Sequence, residues 1–310
     1  IARYLTELDR ADDVLSKTGM MMPEARIARA IKKLAHYKKE AATLRAVEQR
    51  MDTTGETQVS LTDSDCRSMA TTSKQPRVVG YNVQSVVETK HHLIVAHEVT
   101  NQGYDRDALS MMARAAKDVM ASEKIEAVAD KGYYSGEEIV AAENAGVAVT
   151  VSKPNTSNAA ALGRFDKADF VYVSVEDIYI CPAGERLTYR MTSEHDGKLV
   201  RLYWTSVCEA CPIKNRCTTG KERRVRRWEH EAILERVQKR LDDDPSKIPL
   251  RSKTVEHPFG TIKAWMGATH FKMRTMSRVA TEMALHVLAY NMMRVMTIIG
   301  VPRLMEAMRA

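Results

Sequence analysis

The hydrophobic period of the chain changes at Val78, and that change limits the available folds more than any other feature. Before it, Ile1, Tyr4, Leu8, Ala11 and Leu15 are spaced by three and four. Ile27, Ala30, Leu34, Tyr37, Ala41 and Leu44 repeat that spacing after a break at Gly19 and Pro23. Two such stripes predict a helical hairpin over residues 1–51, with packing as its plain role. Residues 52–76, rich in Thr, Ser, Asp and Gln, predict a loop. From Val78 the period becomes two. Val79, Tyr81, Val83, Ser85 and Val87 alternate with mostly polar neighbours, and Leu93, Val95, His97 and Val99 follow suit, predicting a pair of sequential antiparallel strands. A helix is expected from about Asp105 to Met120, then a strand at 125–129. A second helix is expected to open on a Ser135/Glu138 capping box and stop at Gly146, and a last strand covers 147–151. Strand, strand, helix, strand, helix, strand describes an α/β layered core with mixed pairing.

Residues 152–225 break this order with short strand-like pieces and four clustered cysteines, which predicts an inserted β-rich module. Helical spacing returns at Trp228 and ends in a Met-rich helix near Gly300. The domain expectation is a hairpin and loop over 1–60, the first part of the core over 61–152, the cysteine-rich β insertion over 153–227 and a helical remainder over 228–310. Within the 310 residues there is no apolar run long enough for a membrane span. Even 279–299 is interrupted by Glu282, His286, Asn291 and Arg294. No signal peptide opens the chain, which starts on Ile1 in mid-pattern and so reads as a fragment. The five cysteines, an odd number, point to a reducing compartment. The net charge of +7 is uneven: residues 201–310 hold 21 basic and 11 acidic side chains, net +10, against 26 and 29 in the other 200, net −3. A basic binding surface therefore belongs in the last third.

Four groups of residues can carry chemistry. Asp130 closes a short apolar strand ahead of Lys131-Gly132-Tyr133, where ligands gather in layered α/β sheets. It is open to two readings, a carboxylate for a divalent cation or a turn former before glycine. Glu256 and Lys263 lie two helical turns apart beside an apolar stripe of Val255, Phe259, Ile262 and Met266, with Arg251 and Lys253 just upstream. An acid among cations suits phosphoryl transfer, and a solvated face is the alternative. Pro258 requires that helix to start near 254–256 or to kink. Cys181, Cys208, Cys211 and Cys217 suit a tetrahedral Zn²⁺, with buried thiols and redox chemistry as the other readings. Arg223, Arg224, Arg226 and Arg227, behind Lys221, form the densest basic run and suit a phosphate backbone or a solvated face. Gly220-Lys221-Glu222 lacks the residues of a phosphate-binding loop, and no His-Glu-x-x-His occurs.

Taken together, Ala129-Asp130-Lys131-Gly132-Tyr133, the Cys181-Pro182-Ala183-Gly184 module with its Cys-x2-Cys, and Val255-Glu256-His257-Pro258-Phe259-Gly260-Thr261-Ile262-Lys263 resemble the DDE-type transposases of bacterial insertion sequences. The likeness runs from Leu61 to the Met-rich helix. It implies a ribonuclease-H-like mixed sheet with flanking helices, the N-terminal hairpin and an inserted cysteine-rich module. It further implies three carboxylates holding Mg²⁺ or Mn²⁺, transposon ends and target DNA as partners, a dimer, and the bacterial cytoplasm as location. By residue, Asp130 is the second carboxylate, Glu256 the third, and Lys263 a contact to the transposon end. Arg251 lies one position farther from Glu256 than the family spacing. The family's first Asp stands in Asp-Gly-Ser or Asp-Gly-Thr. Here the only Asp-Gly, Asp196-Gly197, falls inside the cysteine module, leaving Asp63 or Asp65 as substitutes. The resemblance therefore implies an N-terminally truncated transposase that is inactive alone, with a DNA-binding or regulatory remnant as the alternative.

Overall fold

The computed structural model describes residues 2–18, 24–69, 77–155 and 157–309; the expected breaks at Gly19 and Pro23 lie outside them. The chain divides into two compact units, residues 1–81 with 274–276, and residues 82–273 with 277–310. In the first unit, helices α1 (Ala2–Thr18) and α2 (Glu24–Thr54) pack on one another, in keeping with the doubled stripe. The expected loop is not wholly irregular. A three-residue strand β1 (Arg67–Met69) pairs antiparallel with β2 (Val78–Gly80). Ahead of it, the chain is tied down by carboxylates: Asp63 accepts from the Tyr81 hydroxyl at 2.7 Å and from the Thr275 N–H at 3.1 Å, and Asp65 accepts from the Met276 N–H at 3.0 Å.

The second unit begins with the expected antiparallel pair, β3 (Asn82–Val87) and β4 (Ile94–Thr100), in register from Asn82 opposite Thr100. Helix α3 (Leu109–Val119) starts four residues later than the periodicity suggests. Residues 105–108 form a turn closed by Ala108 N–H donating to the Asp105 carbonyl, and the Asp105 side chain is engaged elsewhere. Strand β5 (Ile125–Ala129), helix α4 (Gly136–Asn144) and strand β6 (Val147–Val151) then form one parallel βαβ unit, with Ile125 opposite Val147 and Ala129 opposite Val151. Ile139, Ala142, Val147, Val149 and Val151 are buried in its core with Leu109 and Ala113. The capping box does not form. Ser135 occupies the N-cap position without a side-chain cap bond, and the Glu138 carboxylate instead accepts the free Ser110 N–H in the first turn of α3, at 2.8 Å. Gly146 does end the segment. Its φ of +79° is one that β-carbon-bearing residues avoid, and an added Cβ would stand 2.9 Å from the Lys117 Nζ.

Five antiparallel strands follow: β7 (Val171–Val173), β8 (Ile178–Ile180), β9 (Arg186–His195), β10 (Lys198–Trp204) and β11 (Val225–Trp228), in spatial order β11-β10-β9-β8-β7. Their core is Phe170, Tyr179, Leu187, Tyr203 and Val225. Above it, Asp177 accepts from the Tyr172 and Tyr203 hydroxyls at 2.7 and 2.6 Å and pairs with Arg201. Burial drives the Asp177 pKa up, but these three partners outweigh it and hold the carboxyl below its usual range.

Helix α5 (Glu231–Asp243) packs Val237 into the βαβ core, and its Arg240 forks onto Glu143 of α4 and the Val149 carbonyl. Helix α6 (Lys247–Gly260) carries Pro258 in its interior, so it neither starts at 254–256 nor stops there. The backbone instead widens into a π-turn at Thr261–Trp265. The Met-rich helix α7 (Met276–Ile299) ends where expected, at Gly300 with φ +82°, before α8 (Val301–Ala307). From α7, Tyr290 donates to the His92 carbonyl, Asn291 bonds both main-chain groups of Ile94, and Arg294 donates to the His91 carbonyl, which fixes the β3–β4 turn. Among the described residues no single helix is long and apolar enough to cross a membrane.

Candidate active site

Strand β5 points its carboxyl end at a tight turn, and the first residue beyond it is Asp130. The side chain does two things at once. Its Oδ1 accepts the Lys131 N–H at 2.8 Å, so the turn-former reading holds, and the residue as a whole is exposed at the strand's end. The Asp130 carbonyl accepts the Tyr133 N–H at 3.0 Å, which sends the Tyr133 ring back under the turn.

Tyr133 is where several elements meet. Its hydroxyl bonds Gln84 Oε1, and the Gln84 Nε2 donates to Asp105 at 2.6 Å, while Asn82 Nδ2 donates to the same Asp105 oxygen at 2.7 Å. Burial, the Asp105 charge and then the Asp130 charge push the Tyr133 pKa up to about 12 against the opposing pull of Arg251. At that value the ring stays a neutral donor at physiological pH. Gln84 is 1% exposed. The sequence reading passed over Asn82, Gln84 and Asp105. The signal was available in outline, because Asn82 and Gln84 lie two apart and so on one face of β3. No sequence pattern named Asp105 as their partner.

Glu256 and its neighbours lie along α6. Glu256 is exposed and accepts the Ser252 hydroxyl at 2.7 Å, Lys253 is exposed, and Arg251 is half-buried and reaches the Tyr133 neighbourhood. Thr254, Pro258 and Ile262 form the buried line, with Val255, Phe259 and Met266 half-buried beside it. Lys263 is exposed, with its Nζ 5.9 Å from the Phe259 ring centre. Because 261–265 is a π-turn, Lys263 is rotated off the line that two plain α-turns from Glu256 would give. Trp265, at the end of the same turn, is 87% exposed.

The carboxylates fit a hard divalent cation only as a sparse set. Asp130 and Glu256 each give one oxygen to a neighbour and keep the other unbonded among the described residues. Mg²⁺ accepts one or two protein carboxylates with waters. Among the described residues there is no group of three or more His, Cys, Asp or Glu that could hold a metal ion. The substitutes for a third ligand, Asp63 and Asp65, spend their oxygens on Tyr81 and on the N–H groups of Thr275 and Met276 within the first unit.

The same finding lends the zinc expectation no support. Cys181, Cys208, Cys211 and Cys217 are free, half-buried thiols that line one small cavity of about 30 Å³, under tight turns in which Gly184 N–H bonds the Cys181 carbonyl and Cys211 N–H bonds the Cys208 carbonyl. They converge without standing as a ligand set, and a tetrahedral Zn²⁺ needs four at once. Cys181 and Cys217 pack instead against the Phe170–Tyr203 core, and burial raises the Cys217 pKa above the usual thiol value.

The basic run also separates once it is seen as a strand. On β11 the side chains alternate, so Val225 and Arg227 point inward and Arg226 outward. Arg227 is 8% exposed, pairs with Glu235 of α5 and stacks 3.6 Å above the Tyr172 ring. It holds the sheet to α5 and is not placed to meet a phosphate. Arg223 lies over the Phe170 ring, with its Nε buried and unbonded, and Arg224 pairs with Glu222 and stacks on Trp204. Arg226 alone of the four is exposed with no ion pair among the described residues.

The family model of the transposase DDE domain matches residues 180–296, a stretch that takes in the four clustered cysteines, the arginine strand, Arg251, Lys253, Glu256 and Lys263, but not Asp130. No curated protein and no solved structure matches the chain. The match makes the stretch 180–296 similar to a transposase DDE domain and supports a DDE-type transposase reading.

Proposed function

We propose that the chain is the catalytic part of a DNA transposase that cuts and joins transposon ends with divalent metal ions. Asp130 and Glu256 are then two of its metal-binding carboxylates. The observation that carries this is a carboxylate at the end of a parallel strand, Asp130, in a chain whose transposase match includes Glu256 and Lys263. The reading takes β5, α4 and β6 as part of a ribonuclease-H-like core. Mg²⁺ or Mn²⁺ supplies Lewis-acid stabilisation of charge on phosphate oxygens when bound. The chain's own side chains hold and orient. Asp130 and Glu256 each offer one oxygen, Tyr133 fixes the turn that carries Asp130, and Arg251, Lys253, Lys263 and Arg226 face the phosphates of transposon ends and target. As a dimer in the bacterial cytoplasm, two copies bring two ends together.

With two carboxylates at the site, the chain alone binds DNA without cutting it. Incubated with Mg²⁺ and a supercoiled plasmid, it leaves the plasmid intact while retaining duplex binding. Nicking that disappears in Asp130→Ala would contradict the inactivity and place the chemistry at Asp130. Absence of duplex binding at low salt would contradict the reading as a whole. Mn²⁺ binding, followed by electron paramagnetic resonance, is expected to weaken at least about tenfold in Asp130→Ala.

A further inference from the structure

Arg226 does not stand alone on the outer face of the five-stranded sheet. The register sets Arg226 of β11 opposite Leu202 of β10, and Leu202 opposite Met191 of β9, with Trp204 two residues farther along β10. Residues two apart share a face, so Trp204 lies on the side of Arg226, away from the buried Tyr203. The ladder between β9 and β10 also slips. Met191 pairs with Leu202 and Tyr189 with Tyr203, which leaves Arg190 between them without a partner. It is the extra residue of a β-bulge, a device that re-aims a side chain. Its guanidinium carbon stands 6.0 Å from the centre of the Trp204 indole, its Nε donates to the Trp204 carbonyl at 3.4 Å, and the Arg224 guanidinium carbon stands 4.8 Å from the same ring.

Two cations gathered on one indole repel each other, and the neighbouring carboxylates do not cancel the charge. Arg224 pairs with Glu222, whereas Arg190 and Arg226 are both exposed with no ion pair among the described residues. We infer that this face is a second docking surface for duplex DNA, on which Arg190 and Arg226 take backbone phosphates and Trp204 positions Arg190. The two arginines are rooted two strands apart, about 10 Å. One strand of a duplex passes about three phosphates over that span. The planar fork of arginine suits phosphate oxygens, and a guanidinium already held by the bulge and the indole loses less freedom on binding. Contacts of this kind fix the position of the duplex without reading its sequence. The face belongs to β9, β10 and β11, whereas Asp130 and Glu256 lie at the end of β5 and on α6, so it holds DNA and does not cut it. The inference rests on the DNA reading and adds to it a surface on the β module.

The test uses the whole chain and a labelled duplex of mixed sequence, followed by fluorescence anisotropy across a salt series. The double variant Arg190→Gln with Arg226→Gln is expected to reduce the salt slope by about 2, alike for unrelated duplexes. Trp204→Leu keeps both charges, so its slope is expected to hold while affinity falls about threefold. Unchanged affinity there would remove Trp204 as a positioning residue. A slope unchanged in the double variant, with the wild-type chain binding duplex in a salt-dependent way, would overturn the surface and leave the DNA reading standing. A wild-type chain that binds no duplex would overturn both. Polyglutamate that displaces the labelled duplex as well as unlabelled duplex does, at equal charge, would assign the face to an acidic protein and overturn DNA as its occupant.

Discussion

The five strands from Val171 to Trp228 close into one sheet, whereas the four from Asn82 to Val151 stay as two separate pairs. The two regions differ in how far their pairing reaches along the chain. In the first, β7 to β10 pair in sequence order through short turns, and each strand finds its partner locally. Two of its charged side chains find partners inside it or on α5, Asp177 under two tyrosine hydroxyls and Arg227 against Tyr172, Tyr179 and Glu235. In the second, the antiparallel hairpin and the parallel βαβ unit are each complete, but among the described residues no strand pairing joins β3 to β5. The contrast shows a module finished by local contacts beside a core whose sheet has room for more backbone. The proposed chemistry sits on the second.

The largest expected effect tests the closed region. Tyr203 is fully buried and donates to Asp177, so Tyr203→Ala is expected to cost about 3–5 kcal/mol in urea unfolding. A cost below about 1 kcal/mol would mean that the sheet is not knit through this ring. Next, Arg227→Met removes the charge-assisted bonds to Glu235 and is expected to cost about 1.5–3 kcal/mol. It should leave the salt dependence of DNA binding unchanged, and a shallower dependence would return Arg227 to the DNA surface. On the other side, Gln84→Leu strands the Tyr133 hydroxyl and leaves Asp105 with Asn82 as its remaining donor in the network, with an expected loss of about 1–3 kcal/mol. Weaker Mn²⁺ binding in the same variant would show that the network positions the turn of Asp130, and unchanged Mn²⁺ binding would confine its role to stability.

The smallest effect is one of pH. His257 bonds Tyr290 and stacks on His92, and burial, His92 and Arg294 hold its pKa below 6.5. The unfolded chain takes up this proton near pH 6.5 and the folded chain only lower. The unfolded state thus binds more protons between the two values, and stability is lost as pH falls through that window. Thermal melting should decline below about pH 6.5, and less steeply in His257→Gln. An equal decline in both would remove His257 as the cause.

Much of this was legible in the sequence wherever one period ran unbroken. Alternation at 82–100 and the apolar runs at 125–129 and 147–151 marked their strands, and Gly146 and Gly300 marked ends that φ values of +79° and +82° require. What stayed hidden depends on partners far apart in the chain. Glu138 fits a capping box in every local respect, yet Ser110 N–H is the better-placed donor. The arginine run looked uniform until its strand period divided Arg226 from Arg227. At the candidate site, Asp130, Glu256 and Lys263 were readable as motifs. The Asn82–Asp105–Gln84–Tyr133 network was not, because it joins residues 21 to 49 positions apart through side chains alone.

The central claim, that the second unit presents a phosphate-binding surface beside Asp130 and Glu256, is tested most directly by fluorescence anisotropy of a labelled duplex across a series of salt concentrations. The account predicts affinity that falls steeply with salt, with the slope reduced by about 1 in Lys263→Ala and unaltered in Arg227→Met. Binding that is absent, or indifferent to salt, or equally altered in both variants, would contradict it.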